Sequence, residues 1–128
     1  MTRYLYDPAE LPKGFRFPES FLTFVDQVTH PDLHPWQFFF TSKKDADGWL
    51  LAVKRLYPDR KLVPIAHWMN SDDIACFDGS GLSDDPEVYF VHAYASPGWE
   101  HRGQAANFSE WLVEAAEQSA AWKKENAE

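Results

Sequence analysis

Three consecutive segments with the composition of β-strands constrain the fold of this chain most strongly. They cover residues 62–69 (LVPIAHWM), 73–78 (DIACFD) and 87–95 (EVYFVHAYA), which are rich in β-branched and aromatic residues. They are joined by loops rather than by crossover helices, which parallel neighbours would need. The sequence therefore predicts antiparallel pairing, and Pro64 predicts an edge position or a β-bulge in the first of these strands.

A first helix is predicted to begin near Pro18, because proline suits the first turn of a helix. The residues that follow carry one apolar face with the spacing i, i+3, i+4, i+7. That face consists of Phe21, Phe24, Val25 and Val28. The next segment, residues 36–41, is short and aromatic, which predicts a strand or a buried extended segment.

Two further helices are predicted, one before the strands and one after them. Asp45 or Asp47 is expected to cap the middle helix, and Pro58 to end it. Asn107 followed by Glu110 matches the spacing of a capping box, which marks the start of the C-terminal helix.

This order of elements predicts an α+β fold with flanking N-terminal, middle and C-terminal helices. The length of 128 residues fits one domain over residues 1–128. We expect a twisted, mainly antiparallel sheet of about four to six strands. Residues 96–103 are predicted to form a loop, and the tail 119–128 is predicted to extend or fray from the last helix.

The charge distribution favours a protein partner. The chain has 12 basic and 20 acidic residues, and residues 62–101 contain no Lys or Arg. A net negative charge repels phosphate backbones, so nucleic acid is not expected as a partner, whereas a basic protein is favoured. Two alternatives remain open: the acidity only maintains solubility, and the aromatic residues only build a buried face of the sheet.

The lone cysteine, Cys76, cannot form an internal disulfide and fits a reducing compartment. Its apolar strand predicts a buried and inert thiol. The sequence contains no stretch typical of a signal peptide or a membrane span. The cytoplasm is therefore the expected location, without a membrane partner.

The histidines raise the question of a catalytic or metal site. His67 and His92 lie on predicted strands, and pairing of these strands would allow them to meet near Asp73, as a zinc site or a hydrolase site. However, the sequence contains no HExxH, GxSxG or EF-hand pattern. We therefore predict no catalytic residue, no metal ligand and no cofactor, and interpret both histidines as hydrogen-bonded strand residues.

Four short motifs resemble, in their order and spacing, the SUKH superfamily of bacterial immunity proteins and yeast-type cell-wall-synthesis regulators. They are Pro64-Ile65-Ala66, the segment DIACFD at 73–78, the strand start Pro86 to Val88, and the aromatic helix start 108–112. The resemblance covers roughly residues 11–118. One departure is Asp72, which stands before Asp73 where family members usually carry Gly.

The resemblance implies an α+β fold without catalysis or cofactor. It implies an immunity protein that neutralises a basic toxin domain by direct binding, as in polymorphic, toxin–antitoxin-like systems. A regulatory scaffold of the cell-wall-regulator type that binds endogenous proteins is the alternative, and an uncharacterised hydrolase using His67 and His92 is a second. The predicted partner-binding residues, in turns or at strand ends, are Asp72, Asp73, Asp84, Asp85, Glu87, Trp99 and Glu100.

Overall fold

A five-stranded antiparallel sheet organises the fold in a computed structural model, which describes residues 3–96 and 98–127. Each strand pairs with the next one in the sequence; loops connect the last four strands, whereas a helix lies between the first and the second. The predicted α+β class and antiparallel pairing are confirmed. The strands, in both chain order and spatial order, are β1 (Trp36–Phe38), β2 (Leu62–Trp68), β3 (Asp73–Asp78), β4 (Val88–His92) and β5 (His101–Ala105).

Helices cover both faces of this sheet. Their bounds are Glu19–Asp26 for α1, Lys43–Leu56 for α2 and Phe108–Glu125 for α3. Helices α1 and α3 pack on the face that carries Phe77, whereas the α2 side chain Trp49 reaches His67, which pairs with Ile74. Positions 74 and 77 lie on opposite faces of β3, because strand side chains alternate. None of the helices within the described ranges is long and apolar enough to cross a membrane.

The core between the sheet and helices α1 and α3 is mainly aromatic. Phe77 is fully buried at the centre of this core. Trp111 stacks on Phe108 with ring centroids 6.0 Å apart. Tilted and edge-to-face ring pairs add specific packing energy to area burial. The rings within 6.2 Å of Phe77 are those of Phe15, Phe17, Phe21 and Phe108.

Pro64 marks a β-bulge, as predicted. Pro64 pairs with Cys76 and Ala66 pairs with Ala75, which leaves Ile65 as the extra residue. The pairing with β1 begins only at Ala66, so Pro64 needs no ladder donor on that side. The Tyr6 hydroxyl instead donates a hydrogen bond to the Pro64 carbonyl.

The first two helices differ from their predicted bounds. Helix α1 ends at Asp26, where the backbone turns extended at Gln27, and Val28 is 92% exposed instead of facing the core. Helix α2 begins earlier than predicted, because Ser42 accepts a hydrogen bond from the Asp45 amide and serves as the N-cap. The expectation that Asp45 or Asp47 caps this helix is therefore wrong.

The strand segments also need correction. The aromatic segment 36–41 is a strand only over β1, and Phe39–Thr41 form a 3₁₀ helix. The segment 87–95 is a strand only from Val88 to His92. The predicted loop 96–103 is wrong from His101 onward, since β5 begins there and pairs with β4.

Helix α3 begins as predicted, with the Asn107 side chain accepting from the Glu110 amide at 2.9 Å. Its buried residues are Phe108, Trp111, Ala115 and Ser119. The tail extends this helix as far as Glu125. The last turn contains Lys123 and Lys124, whose positive charges stabilise the negative end of the helix dipole.

We predict that Phe77→Ala lowers the free energy of unfolding by about 3–5 kcal/mol, because it leaves a cavity among packed rings. Urea denaturation followed by tryptophan fluorescence measures this change. The control is Leu82→Ala, whose side chain is 90% exposed and whose loss should change stability by at most about 0.5 kcal/mol. Equal effects of the two substitutions would contradict the described core.

Candidate functional site

The predicted partner-binding residues lie at two opposite ends of the sheet. Strand β3 runs from Asp73 to Asp78, so the residues before it and the loop after it are separated by its length, about 16 Å. We name the end with residues 70–73, 93–96 and 98–100 the Trp99 end, and the end with residues 79–87 the Asp84 end. The Trp99 end contains Asp72, Asp73, Trp99 and Glu100, and the Asp84 end contains Asp84, Asp85 and Glu87.

At the Asp84 end, two of the three predicted carboxylates have partners within the chain. Asp85 accepts a hydrogen bond from the Asn107 side chain at 3.0 Å, and Glu87 accepts one from the Gln104 amide. Asp84 itself is exposed. These contacts join the loop to β5 and to the start of α3, so Asp85 and Glu87 have a structural role that the sequence did not indicate.

At the Trp99 end, backbone hydrogen bonds join two loops. The Ala93 amide donates to the Asp72 carbonyl at 2.9 Å, and the His92 amide donates to the Glu100 carbonyl at 2.6 Å. The Glu100 carboxylate accepts from the Gly98 amide at 2.9 Å. These bonds place the Asp72 and Glu100 backbones on either side of the end of β4.

Two large aromatic side chains are exposed at the Trp99 end. Trp99 is 68% exposed and Tyr94 is 62% exposed. Tyr94 was predicted as part of a strand, and its exposure was missed because the run EVYFVHAYA has strand propensity throughout. Exposed Trp and Tyr side chains of this kind are the residue types that most often anchor protein interfaces.

The backbone of Tyr94 has the left-handed conformation, with φ of 64°. This conformation costs a residue with a Cβ about 1–2 kcal/mol, and Asn or Gly adopts it more readily. Because the ring is largely exposed, its burial offsets little of that cost. The neighbouring turn between β2 and β3 has its left-handed residue at Asn70, with φ of 63°, and Asp72 does not adopt that conformation.

A groove on the other side of Asp73 adjoins the Trp99 end, and we name it the α3 groove. Its volume is about 640 Å³ and it lies between α3 and the sheet. The side chains of Trp36, Trp68, Asp73 and His92 follow one row across its floor, since Trp36 pairs with Trp68 and Asp73 with His92. The walls add Phe90 from β4, Arg102 from β5, and Glu114 and Gln118 from α3.

The α3 groove has an apolar and a polar end. At the apolar end Trp36 and Trp68 pack edge-to-face at 5.4 Å, and the Trp36 indole donates to Gln118 Oε1 at 2.8 Å. At the polar end His92 Nδ1 lies 2.6 Å from Asp73 Oδ1, with both side chains half-exposed. The groove therefore offers stacking surfaces beside an oriented carboxylate.

The two strand histidines do not meet, which corrects the expected zinc or hydrolase arrangement. His67 pairs with Ile74, and His92 pairs with Asp73, its neighbour on β3. Adjacent strand residues face opposite sides, so the two imidazoles are separated by the sheet. Among residues 3–96 and 98–127 no group of His, Cys, Asp and Glu side chains has the arrangement of a metal site.

His67 faces α2 and has a packing role. Its ring stacks on Phe39 with centroids 5.4 Å apart and an interplanar angle of 4°. Its Nδ1 is buried without a hydrogen-bond partner in the described part of the chain. Desolvation lowers the pKa of His67, opposed by the Asp45 charge, which favours the neutral imidazole.

Cys76 is fully buried on the same face of β3, as predicted. Burial raises the pKa of the Cys76 thiol, because the thiolate would be desolvated. The histidine and cysteine on this face thus both favour their neutral forms.

Residues 62–101 contain no Lys or Arg, but two arginines from outside this segment lie beside it in the folded chain. The Arg60 guanidinium lies over the Tyr57 ring at 5.7 Å and over the Tyr89 ring at 5.6 Å. Arg102 lines the α3 groove. Arginines from outside the segment therefore lie beside it in the folded protein. The carboxylates of the segment itself are concentrated at the two ends of the sheet.

No family model matches this chain, and neither a curated protein nor a solved structure is significantly similar to it. The resemblance to the SUKH superfamily stays a prediction.

We predict that Tyr94→Gly yields a folded protein about 1 kcal/mol more stable than Tyr94→Ala, because glycine, unlike alanine, adopts the left-handed backbone without strain. Both substitutions remove the ring, so the difference isolates the backbone conformation. Paired urea denaturation curves measure it. Equal stability, or a more stable alanine variant, would be incompatible with the described turn.

Proposed function

We propose that this protein is a non-catalytic protein-binding domain of the immunity type, which neutralises a basic toxin domain by binding it at the Trp99 end. The observation that carries the proposal is the Tyr94 side chain, which is displayed to solvent on a left-handed backbone. Such a residue lowers stability and contributes little to the core. Its presence is explained if the exposed ring contacts a partner.

The composition of the Trp99 end supports a protein partner. Trp99 and Tyr94 supply large, amphipathic contact surfaces at a low cost in side-chain entropy. The same end of the sheet carries the carboxylates of Asp72, Asp73 and Glu100. Carboxylates at the rim of an interface accelerate association with a basic partner and select against acidic ones.

The toxin domain as partner is supported by the motif order that resembles the SUKH superfamily and by the net charge of -8. Many toxin domains of this kind act on nucleic acids and have basic surfaces. An acidic domain bound to such a surface would occupy the place of the nucleic acid. Neutralisation then requires only a stable complex, and no catalytic group on this chain takes part.

The experiment is co-expression with a toxin domain encoded next to the gene. The unaltered chain should protect the cell and form a stoichiometric complex, whereas Trp99→Ala and Tyr94→Asn should each raise the dissociation constant by about 30-fold, as expected for interface anchors. Asparagine tolerates the left-handed backbone, so Tyr94→Asn removes the ring without adding strain. Isothermal titration calorimetry and cell survival measure the two effects.

The matched control is Leu82→Ala, which removes an exposed apolar side chain at the Asp84 end. It should leave both affinity and protection unchanged. The proposal is rejected if the unaltered chain neither protects nor forms a complex, or if Leu82→Ala weakens binding as much as Trp99→Ala does. A stable complex with a cell-wall-synthesis protein, without protection from any toxin, would instead favour the regulatory scaffold.

A further inference from the structure

We infer that the α3 groove binds an arginine side chain of the partner, an inference that rests on the proposed function because the groove adjoins the Trp99 end. Asp73 belongs to both surfaces: it starts β3 at the Trp99 end and lies on the floor of the groove. A partner seated at the Trp99 end is thereby placed beside the groove opening.

The apolar end of the groove suits the flat guanidinium group. The partly exposed rings of Trp68 and Phe90 line it, and the buried Trp36 ring packs against both, with centroids 5.4 Å from Trp68 and 6.2 Å from Phe90. A guanidinium stacks on aromatic faces through cation–π attraction, and tryptophan is the strongest such partner. The hydrogen bond from the Trp36 indole to Gln118 fixes one of these rings in place.

The polar end supplies the carboxylate that arginine pairs with. His92 Nδ1 forms a hydrogen bond of 2.6 Å with Asp73 Oδ1. This bond orients the carboxylate and leaves Oδ2 for a ligand. His92 is thus a positioning residue for Asp73. Glu114 lies on the α3 wall and provides a second carboxylate.

The charges that line the groove are complementary to one added cation. Two carboxylates, Asp73 and Glu114, line the groove together with one guanidinium, that of Arg102. Arg102 forms no ion pair within 4.0 Å in the described ranges, so neither carboxylate is neutralised by direct contact with it. Lysine would match the charge but not the stacking surfaces, because its ammonium is a compact, strongly hydrated cation.

The test is an NMR titration of the ¹⁵N-labelled chain with N-acetyl-arginine amide. We expect saturable shifts of the Trp36 and Trp68 indole N–H signals, while the neutral isostere N-acetyl-citrulline amide causes none at the same concentration. Asp73→Asn should lower the affinity for the arginine probe by about tenfold, the usual cost of a lost charged hydrogen bond. Glu114→Gln, on an exposed helix position, should weaken it by a smaller factor and guards against a folding defect in the first variant.

The control variant is Asp26→Asn, which removes an exposed carboxylate outside the groove and should leave the affinity for the probe unchanged. Equal binding of the citrulline compound, or unaltered affinity in both groove variants, would overturn the inference. If the probe fails while Trp99→Ala still weakens the toxin complex, the groove inference falls and the proposed function stands. If the probe binds the groove but no toxin complex forms, the proposed function falls instead.

Discussion

The alternation of side chains along β3 is the constraint on which the rest of the structure depends. Asp73, Ala75 and Phe77 face α1 and α3, whereas Ile74 and Cys76 face α2. Phe77 lies at the centre of the aromatic core under the two helices, and Asp73, on the same face, lies on the floor of the α3 groove. Both residues follow the same alternation of side chains along β3. The face that packs Phe77 against the helices is therefore also the face on which Asp73 and the α3 groove lie.

The direction of β3 then separates the acidic residues of the chain into two groups. The Trp99 end combines carboxylates with exposed Tyr94 and Trp99 rings, whereas carboxylates at the Asp84 end also bind Asn107 and Gln104. Exposed aromatic rings distinguish a candidate contact surface from a solvated acidic loop. The two groups therefore differ in physical character although their sequences look alike.

Sequence patterns predicted the elements whose local signals agree with their tertiary surroundings. Strand β3 has its predicted bounds, the Asn107 cap is present, and the bulge lies at Pro64, where a missing amide favours it. The opposite positions of the two acidic groups also follow from antiparallel strand order, since a strand begins at one end of a sheet and finishes at the other.

The remaining features depend on tertiary contacts that local patterns do not contain. Strand β5, HRGQA, is polar and is a strand only because it pairs with β4 at the sheet edge. The opposite orientations of His67 and His92 depend on strand register, which one residue of displacement would reverse. Ser42 prevails over Asp45 as a cap because the helix starts one turn earlier than its apolar face indicates. The α3 groove needs residues from β1 to β5 and from α3, so only the folded chain assembles it.

We propose that a basic partner binds the Trp99 end and not the Asp84 end. Hydrogen–deuterium exchange of the complex with the co-expressed toxin domain, compared with the free chain, tests this directly. We expect slower exchange at residues 70–73, 93–96 and 98–100, and unchanged exchange at residues 79–87. Slower exchange confined to residues 79–87 would contradict it.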